Sequence, residues 1–229
     1  MRFVELSEAE LEALTRPGKV LESEGSVPVV WRRGNEIIKR FRRHKWLSSD
    51  LIRPYAQRFA DNAAQLLSLG ISAPVVTAGY RLHKGGDRIL IYQMLEGESV
   101  SELDPPISAD ALASVYARLH AAGVLFRSIH LSNILLRADG DFGLIDVTDV
   151  QFRGRPLTNA ERADNLGYAW AHPRDATYFT PDRSRSVAAA YVTIAKLDEE
   201  EGAVFMARLE AAIQRGRKRR ERRRRRKQK

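Results

Sequence analysis

The sequence predicts an α+β protein. A small β-rich N-terminal lobe carrying one helix is hinged to a minimal, helical C-terminal lobe, with a cleft between them. Three observations carry this: two β-rich hairpin patterns lie in the first hundred residues, a proline-bearing linker follows, and the rest is dominated by helical runs. The expected boundaries are 1–97 for the first lobe, 98–214 for the second, and 215–229 for a disordered arginine-rich tail.

The first hairpin is "VPVVWRRGNEIIKRF" (27–41), two β-rich runs around Arg33-Gly34-Asn35. The lobe's helix is read over 51–70, where Phe59, Ala63, Leu66 and Leu67 fall at helical spacing and Gly70 stops the run. The second hairpin spans 73–95 and turns at Lys84-Gly85-Gly86-Asp87. Residues 96–106, with two prolines, form the linker. A helix over 108–123 follows, with Ser108 as its N-cap. "SNILLRADGDFGLIDV" (132–147) reads as strand, turn, strand. A helix over 157–172 opens with a capping box, Thr158 with Glu161. The last helical run breaks near Gly202.

At 229 residues, 44% hydrophobic, the chain can bury one good core or two small ones. It has no cysteine, which excludes disulfides and thiolate metal sites and suits a reducing compartment. Acidic residues stand where a signal peptide needs an apolar stretch, and no apolar run approaches a membrane span, so a soluble, cytoplasmic protein is expected. The net charge of +9 belongs to the tail. Residues 215–229 hold twelve Lys/Arg and one Glu, and the remainder carries 26 basic and 28 acidic residues. Such a block repels itself, which predicts disorder. It would adsorb on anionic lipid at about 1 kcal/mol per basic residue, or bind nucleic acid phosphates, or serve solubility alone.

Four motifs, in this order, resemble the protein-kinase-like fold, and within it the bacterial lipopolysaccharide core kinases of the Kdo/heptose group, over about residues 20–172. The first is "EIIKRF", with Lys39 on the second strand of a hairpin. The second is the helix that follows, where spacing back from "LGISAP" reaches Asn62, or Asp61. The third is "ILIYQMLEGESV", which resembles a strand and adenine-receiving hinge. The fourth joins "FRSIHLSNILL" to "FGLIDVTD". The resemblance implies that Lys39 grips ATP phosphates and that Asn62 replaces the glutamate that usually pairs with that lysine. It implies that backbone groups near Gln93 and Leu95 receive the adenine, and that Asn133 and Asp146 hold Mg²⁺, whose preference for oxygen ligands they meet. The literal "DFG" at Asp141-Phe142-Gly143 precedes its strand and is read as a decoy.

The catalytic loop departs from the kinase pattern. Arg127 and Asn133 match, but the aspartate position holds Ser128. A serine hydroxyl is no base near neutrality, and losing a positioned base costs about 10²–10⁴-fold. His130, two residues on, and Asp149 are candidate replacements, with Arg127 a structural tie. No G-x-G-x-x-G precedes Lys39, and after Asp146 there is no room for a long activation loop, which points away from a regulated protein kinase. The implied reaction moves the γ-phosphoryl of ATP to a sugar hydroxyl of a membrane glycolipid. The tail would dock the enzyme on the inner face of the cytoplasmic membrane. The alternatives are a pseudokinase that binds nucleotide or a partner without transfer, and a nucleic-acid-binding protein acting through the tail.

Overall fold

The computed structural model describes residues 1–43 and 54–227. The chain divides into two compact units: Met1–Glu96 with Gly143–Thr148, and Gly97–Phe142 with Asp149–Lys229. The short stretch carrying Asp146 thus groups with the N-terminal unit, although it lies well beyond the linker in sequence.

The first unit contains β1 (Val4–Leu6), α1 (Glu8–Thr15), β2 (Lys19–Glu24), β3 (Val27–Arg33), β4 (Glu36–Phe41), α2 (Tyr55–Ser68), β5 (Val75–Leu82) and β6 (Arg88–Gln93). Its six strands form one mixed sheet in the order β1-β5-β6-β4-β3-β2, with β1 parallel to β5 and the other neighbours antiparallel. Both hairpins expected from the sequence form. β3 and β4 turn at Gly34, whose φ of +58° suits glycine. β5 and β6 turn through Gly85 and Gly86, also in the left-handed region.

Alternation along β4 sends successive residues to opposite faces. Ile38 joins Leu6, Leu11, Trp31, Leu82, Ile89 and Ile91 under α1. Ile37 belongs to the other face with Val29, Val30 and Tyr92, and there Phe59 of α2 meets Tyr92 at 5.1 Å between ring centroids. Among its described residues the unit has two helices where the sequence predicts one. The capping box of α1 (Ser7 and Glu10) is formed, and the letters S-E-A-E carried that signal. β2 escaped notice because all six of its residues are exposed and no apolar alternation marks it. Residues 51–53, included in the expected helix, lie outside the described residues; α2 begins at Tyr55.

The second unit contains β7 (Glu98–Ser99), α3 (Ala109–Ala121), β8 (Val124–Phe126) and β9 (Ile134–Leu136). β10 (Phe142–Leu144) leads the chain out of it, and β11 (Val150–Phe152), α4 (Asn159–Trp170), α5 (Pro181–Ile194) and α6 (Glu199–Lys227) complete it. The caps expected at Ser108 and Thr158 are both made. The aromatic core stacks Trp170 on Phe179 and Tyr191 on Phe205, with centroids 4.8 and 5.1 Å apart.

The break between the last two helices falls at residues 195–198, not at Gly202, which lies in the first turn of α6 and is buried. The described part of the basic tail is helical rather than disordered, as α6 continues to Lys227. Charge density alone predicted disorder, but a packed helix supplies the nucleus, and arginine propagates a helix well. α6 lies close on α4 along small residues. A Cβ on Gly167 would collide with Ala212, and one on Gly216 with Ala171. Asp164 of α4 then binds both Arg208 (2.6 Å) and Arg215 (2.9 Å). Arg220 bonds the Tyr168 carbonyl at 3.2 Å and lies over that tyrosine's ring.

Candidate functional site

β3 and β4 place Lys39 opposite Val30, on the strand that also pairs with Leu90 of β6. Its ammonium lies 5.5 Å from the Phe41 ring centre and 5.8 Å from that of Phe59. It donates to Asp146 Oδ1 at 2.8 Å. Asp146 follows β10, which is tied into the first unit by Leu144 N–H to the Ser72 carbonyl at 2.8 Å. Asp146 has φ +52°, in the left-handed region. Its side chain is half exposed, and exposed ion pairs contribute about 0–1 kcal/mol. A left-handed non-glycine backbone costs on the order of 1 kcal/mol or more, although aspartate tolerates it better than most residues. Stability therefore does not account for the arrangement. Its product is a carboxylate presented beside an ammonium at an open edge.

Asn62 explains itself once its partners are seen. It is buried on α2, and its Nδ2 donates to the carbonyls of Val147 (2.8 Å) and Thr148 (3.2 Å). The sequence reading set it in the place of the lysine's acidic partner. Instead it fastens the backbone after Asp146, and Lys39 takes Asp146 itself as partner. Asp61 accepts from Gln57 at 2.6 Å. Replacing Asn62 by leucine leaves two carbonyls short of a buried donor, so a loss of about 1–3 kcal/mol is expected in chemical unfolding.

Lys39, Asp146 and Thr148 line a cleft of about 260 Å³ together with Glu22, Glu24, Val29, Arg40, Phe41, Arg42 and Tyr55. It is smaller than the roughly 300–1,000 Å³ of typical cofactor sites, and suits the charged end of a ligand. Three acids and three bases line it, and Glu24 lies 3.5 Å from Arg42. A polyphosphate entering such a cleft meets carboxylates as well as cations, so its entry is favoured when it carries a divalent metal. Tyr92, held well above its ordinary pKa by burial and by the Asp146 charge, stays protonated. Gln93 is paired in the sheet on both sides, with Glu36 and Val75. Leu95 stands past the end of β6 and packs its side chain against Gly143.

The second unit holds the loop between β8 and β9. β11 pairs antiparallel with β8, with Val150 opposite Phe126. One step further along that ladder, Arg127 N–H reaches the Asp149 carbonyl at 3.4 Å; the Arg127 side chain is exposed. Ser128 Oγ donates to Asp149 Oδ2 at 2.8 Å. The Ser128 carbonyl accepts from Asn133 Nδ2 and from His130 N–H, both at 2.8 Å. Asn133 Oδ1 is left without a hydrogen bond among the described residues.

The His130 ring lies beside Asp175 and His172. Its Nδ1 is buried without a hydrogen bond, 3.8 Å from Asp175 Oδ2, and its ring lies against that of His172 with centroids 3.8 Å apart. Burial, with His130 alongside, pulls His172 down to about 4. Asp175 is buried and accepts from Leu131 N–H at 3.2 Å. Asp141 of the literal "DFG" pairs with Arg118 at 2.6 Å in the turn before β10.

The amide oxygen of Asn133 and the carboxylate of Asp146, the two expected metal ligands, belong to different units. Both fit Mg²⁺ in donor type, and Mg²⁺ binds through one or two carboxylates together with substrate phosphates. No cluster of three or more His, Asp or Glu able to hold a metal exists among the described residues.

No protein-family model and no curated protein matches the sequence. Among solved structures the chain is similar to WbdD. Against monomeric WbdD the TM-score is 0.47 at 15% identity, over 87% of this chain and 46% of that one. Against WbdD crystallised with a kinase inhibitor it is 0.43 at 18%, over 74% and 44%. A third WbdD structure, described as a bifunctional kinase-methyltransferase, gives 0.42 at 15%, over 79% and 46%. The chain spans less than half the length of these proteins. At such scores the likeness is loose, and the functional reading rests on the chain's own residues.

Proposed function

We propose that the chain is an ATP-dependent phosphotransferase of the lipopolysaccharide-kinase type, moving a γ-phosphoryl to a sugar hydroxyl of a membrane glycolipid such as the lipopolysaccharide inner core. The observation that supports this best is the Lys39–Asp146 pair at 2.8 Å, with Asp146 in a left-handed backbone that Asn62 fastens from behind. A point cation for phosphates and a carboxylate for metal, side by side, are what phosphoryl transfer asks of a site. Lys39 would hold the phosphates, and Asp146 with Asn133 the Mg²⁺, which would neutralise charge on the transferring group. The test is incorporation of labelled γ-phosphate into purified lipopolysaccharide. Mg²⁺-dependent labelling supports the reading, and absence of ATP binding to the folded chain overturns it.

A pseudokinase is the second reading, favoured by Glu22 and Glu24 in the cleft and by the serine at 128. Binding of ATP without any phosphate release selects it.

The basic end of α6 fits an anionic membrane surface, where such an acceptor lies. Arg217, Lys218, Arg219 and Arg222 are exposed, and no apolar residue follows Ile213, so adsorption there would be electrostatic rather than insertion. Changing these four residues to glutamate is expected to abolish sedimentation with vesicles containing anionic lipid at about 0.1 M salt, since each cation contributes about 1 kcal/mol. Retained vesicle binding with loss of RNA or DNA binding would select the nucleic-acid reading instead. No described helix is long and apolar enough to cross a membrane.

A further inference from the structure

The loop lacks a carboxylate at position 128, yet a carboxylate stands 2.8 Å from the side chain at that position. We propose that Asp149 is the proton acceptor of the reaction, with Ser128 as the residue that positions it. This inference rests on the phosphotransferase reading above and assigns a role that the reading itself leaves vacant.

Three features support it. The β8–β11 ladder ends with Val150 opposite Phe126, so the residue before β11 is delivered to the loop that begins at Arg127. The backbone contact from Arg127 N–H to the Asp149 carbonyl fixes that delivery. The Ser128 backbone is held in turn, its carbonyl accepting from both Asn133 and His130. The Ser128 hydroxyl therefore points at Asp149 from a pinned base and orients its carboxylate.

In the step proposed, the acceptor oxygen attacks the γ-phosphorus as the bond to the β–γ bridging oxygen breaks. ADP leaves with that electron pair, and the acceptor proton passes to the Asp149 carboxylate and then to solvent. Moving the carboxylate from 128 to 149 preserves base chemistry while changing which segment of chain supplies it. A bond that only pins the loop would do none of this, and the two roles separate experimentally.

The experiment uses the full chain with ATP and Mg²⁺, water serving as the acceptor. Phosphate release is followed across pH, ATP affinity by calorimetry, and folding by thermal unfolding. Asp149→Asn is expected to slow release by about 10²–10⁴-fold at unchanged ATP affinity, and to lose any fall in rate on the acid side that is not matched by a fall in ATP affinity or in folding. Ser128→Ala should lose less and keep that acid-side fall. The double change Ser128→Asp with Asp149→Asn returns a carboxylate to the loop and should recover most of the rate. Wild-type release by Asp149→Asn overturns the proposal. So does a double variant that binds ATP but stays as slow as the single one. Should Asp149→Asn fail to fold, a wild type without an acid-side fall in rate overturns it equally. A wild type that binds ATP but releases no phosphate removes Asp149's role and leaves the nucleotide site standing. Failure to bind ATP removes both.

Discussion

Asp146→Asn is expected to weaken Mg²⁺-dependent ATP binding by about 10- to 100-fold, with little effect on thermal unfolding. Asparagine keeps the tolerance for the left-handed backbone that Asp146 shows at φ +52°, so the change removes charge and little else. Interactions with a charged group contribute about 1.5–3 kcal/mol, and each 1.4 kcal/mol is tenfold in affinity. Stability should move little, because the pair with Lys39 is half exposed on the aspartate side. Calorimetric titration with and without Mg²⁺ reads the result. Undiminished metal-dependent binding would remove Asp146 from the site.

The second expected result is a loss of stability in acid. His120 is buried on α3, with Nδ1 2.7 Å from the Tyr191 hydroxyl and Nε2 3.1 Å from Asn165 Oδ1. Asn165 in turn donates to the Phe126 carbonyl at 3.0 Å, at the end of β8 just before the Arg127–Ser128 loop. Bonds of this kind suit a neutral ring that donates from Nε2 and accepts at Nδ1. Burial lowers the His120 pKa from 6.5 to about 4. The unfolded chain thus binds this proton before the folded one does. The stability associated with His120 is complete above about pH 6.5, declines at up to about 1.4 kcal/mol per pH unit below it, and is lost by the time pH reaches about 4. The total is about 3 kcal/mol. His172, also held near 4, adds in the same direction. Urea unfolding between pH 7 and 4 should show the decline, reduced in His120→Gln. A flat profile would mean that the ring does not stay neutral on folding.

The local architecture was largely legible in the letters. Each hairpin announced itself through glycine-bearing turns between β-branched runs, and α3 and α4 through caps at Ser108 and Thr158. What escaped the sequence was set by partners distant along the chain. β2 has six exposed residues and is a strand because β3 pairs with it. The arginine-rich end of α6 is helical because α4 presents Gly167, Asp164 and Tyr168 to the helix that feeds it, and no local rule foresees that support. At the site, letters and spacing singled out Lys39 and Asp146, and the structure sets them in contact. The partners of Asn62 are backbone carbonyls 85 and 86 residues away, which no local spacing reveals. The letters also rank Asp149 below His130, because the register that carries Asp149 to Ser128 exists only after β8 and β11 have paired.

The double hydrogen bond from Asn62 has a mechanical meaning. A lysine paired with a helix glutamate can be disarmed by swinging that helix away, leaving the rest of the site in place. Here α2 grips the very segment that bears the lysine's partner, so displacing the helix drags Val147 and Thr148, and with them Asp146, along. Among the described residues of the first unit, α2 and the Asp146 carboxylate are tied into one piece, and the Lys39 contact rests on both.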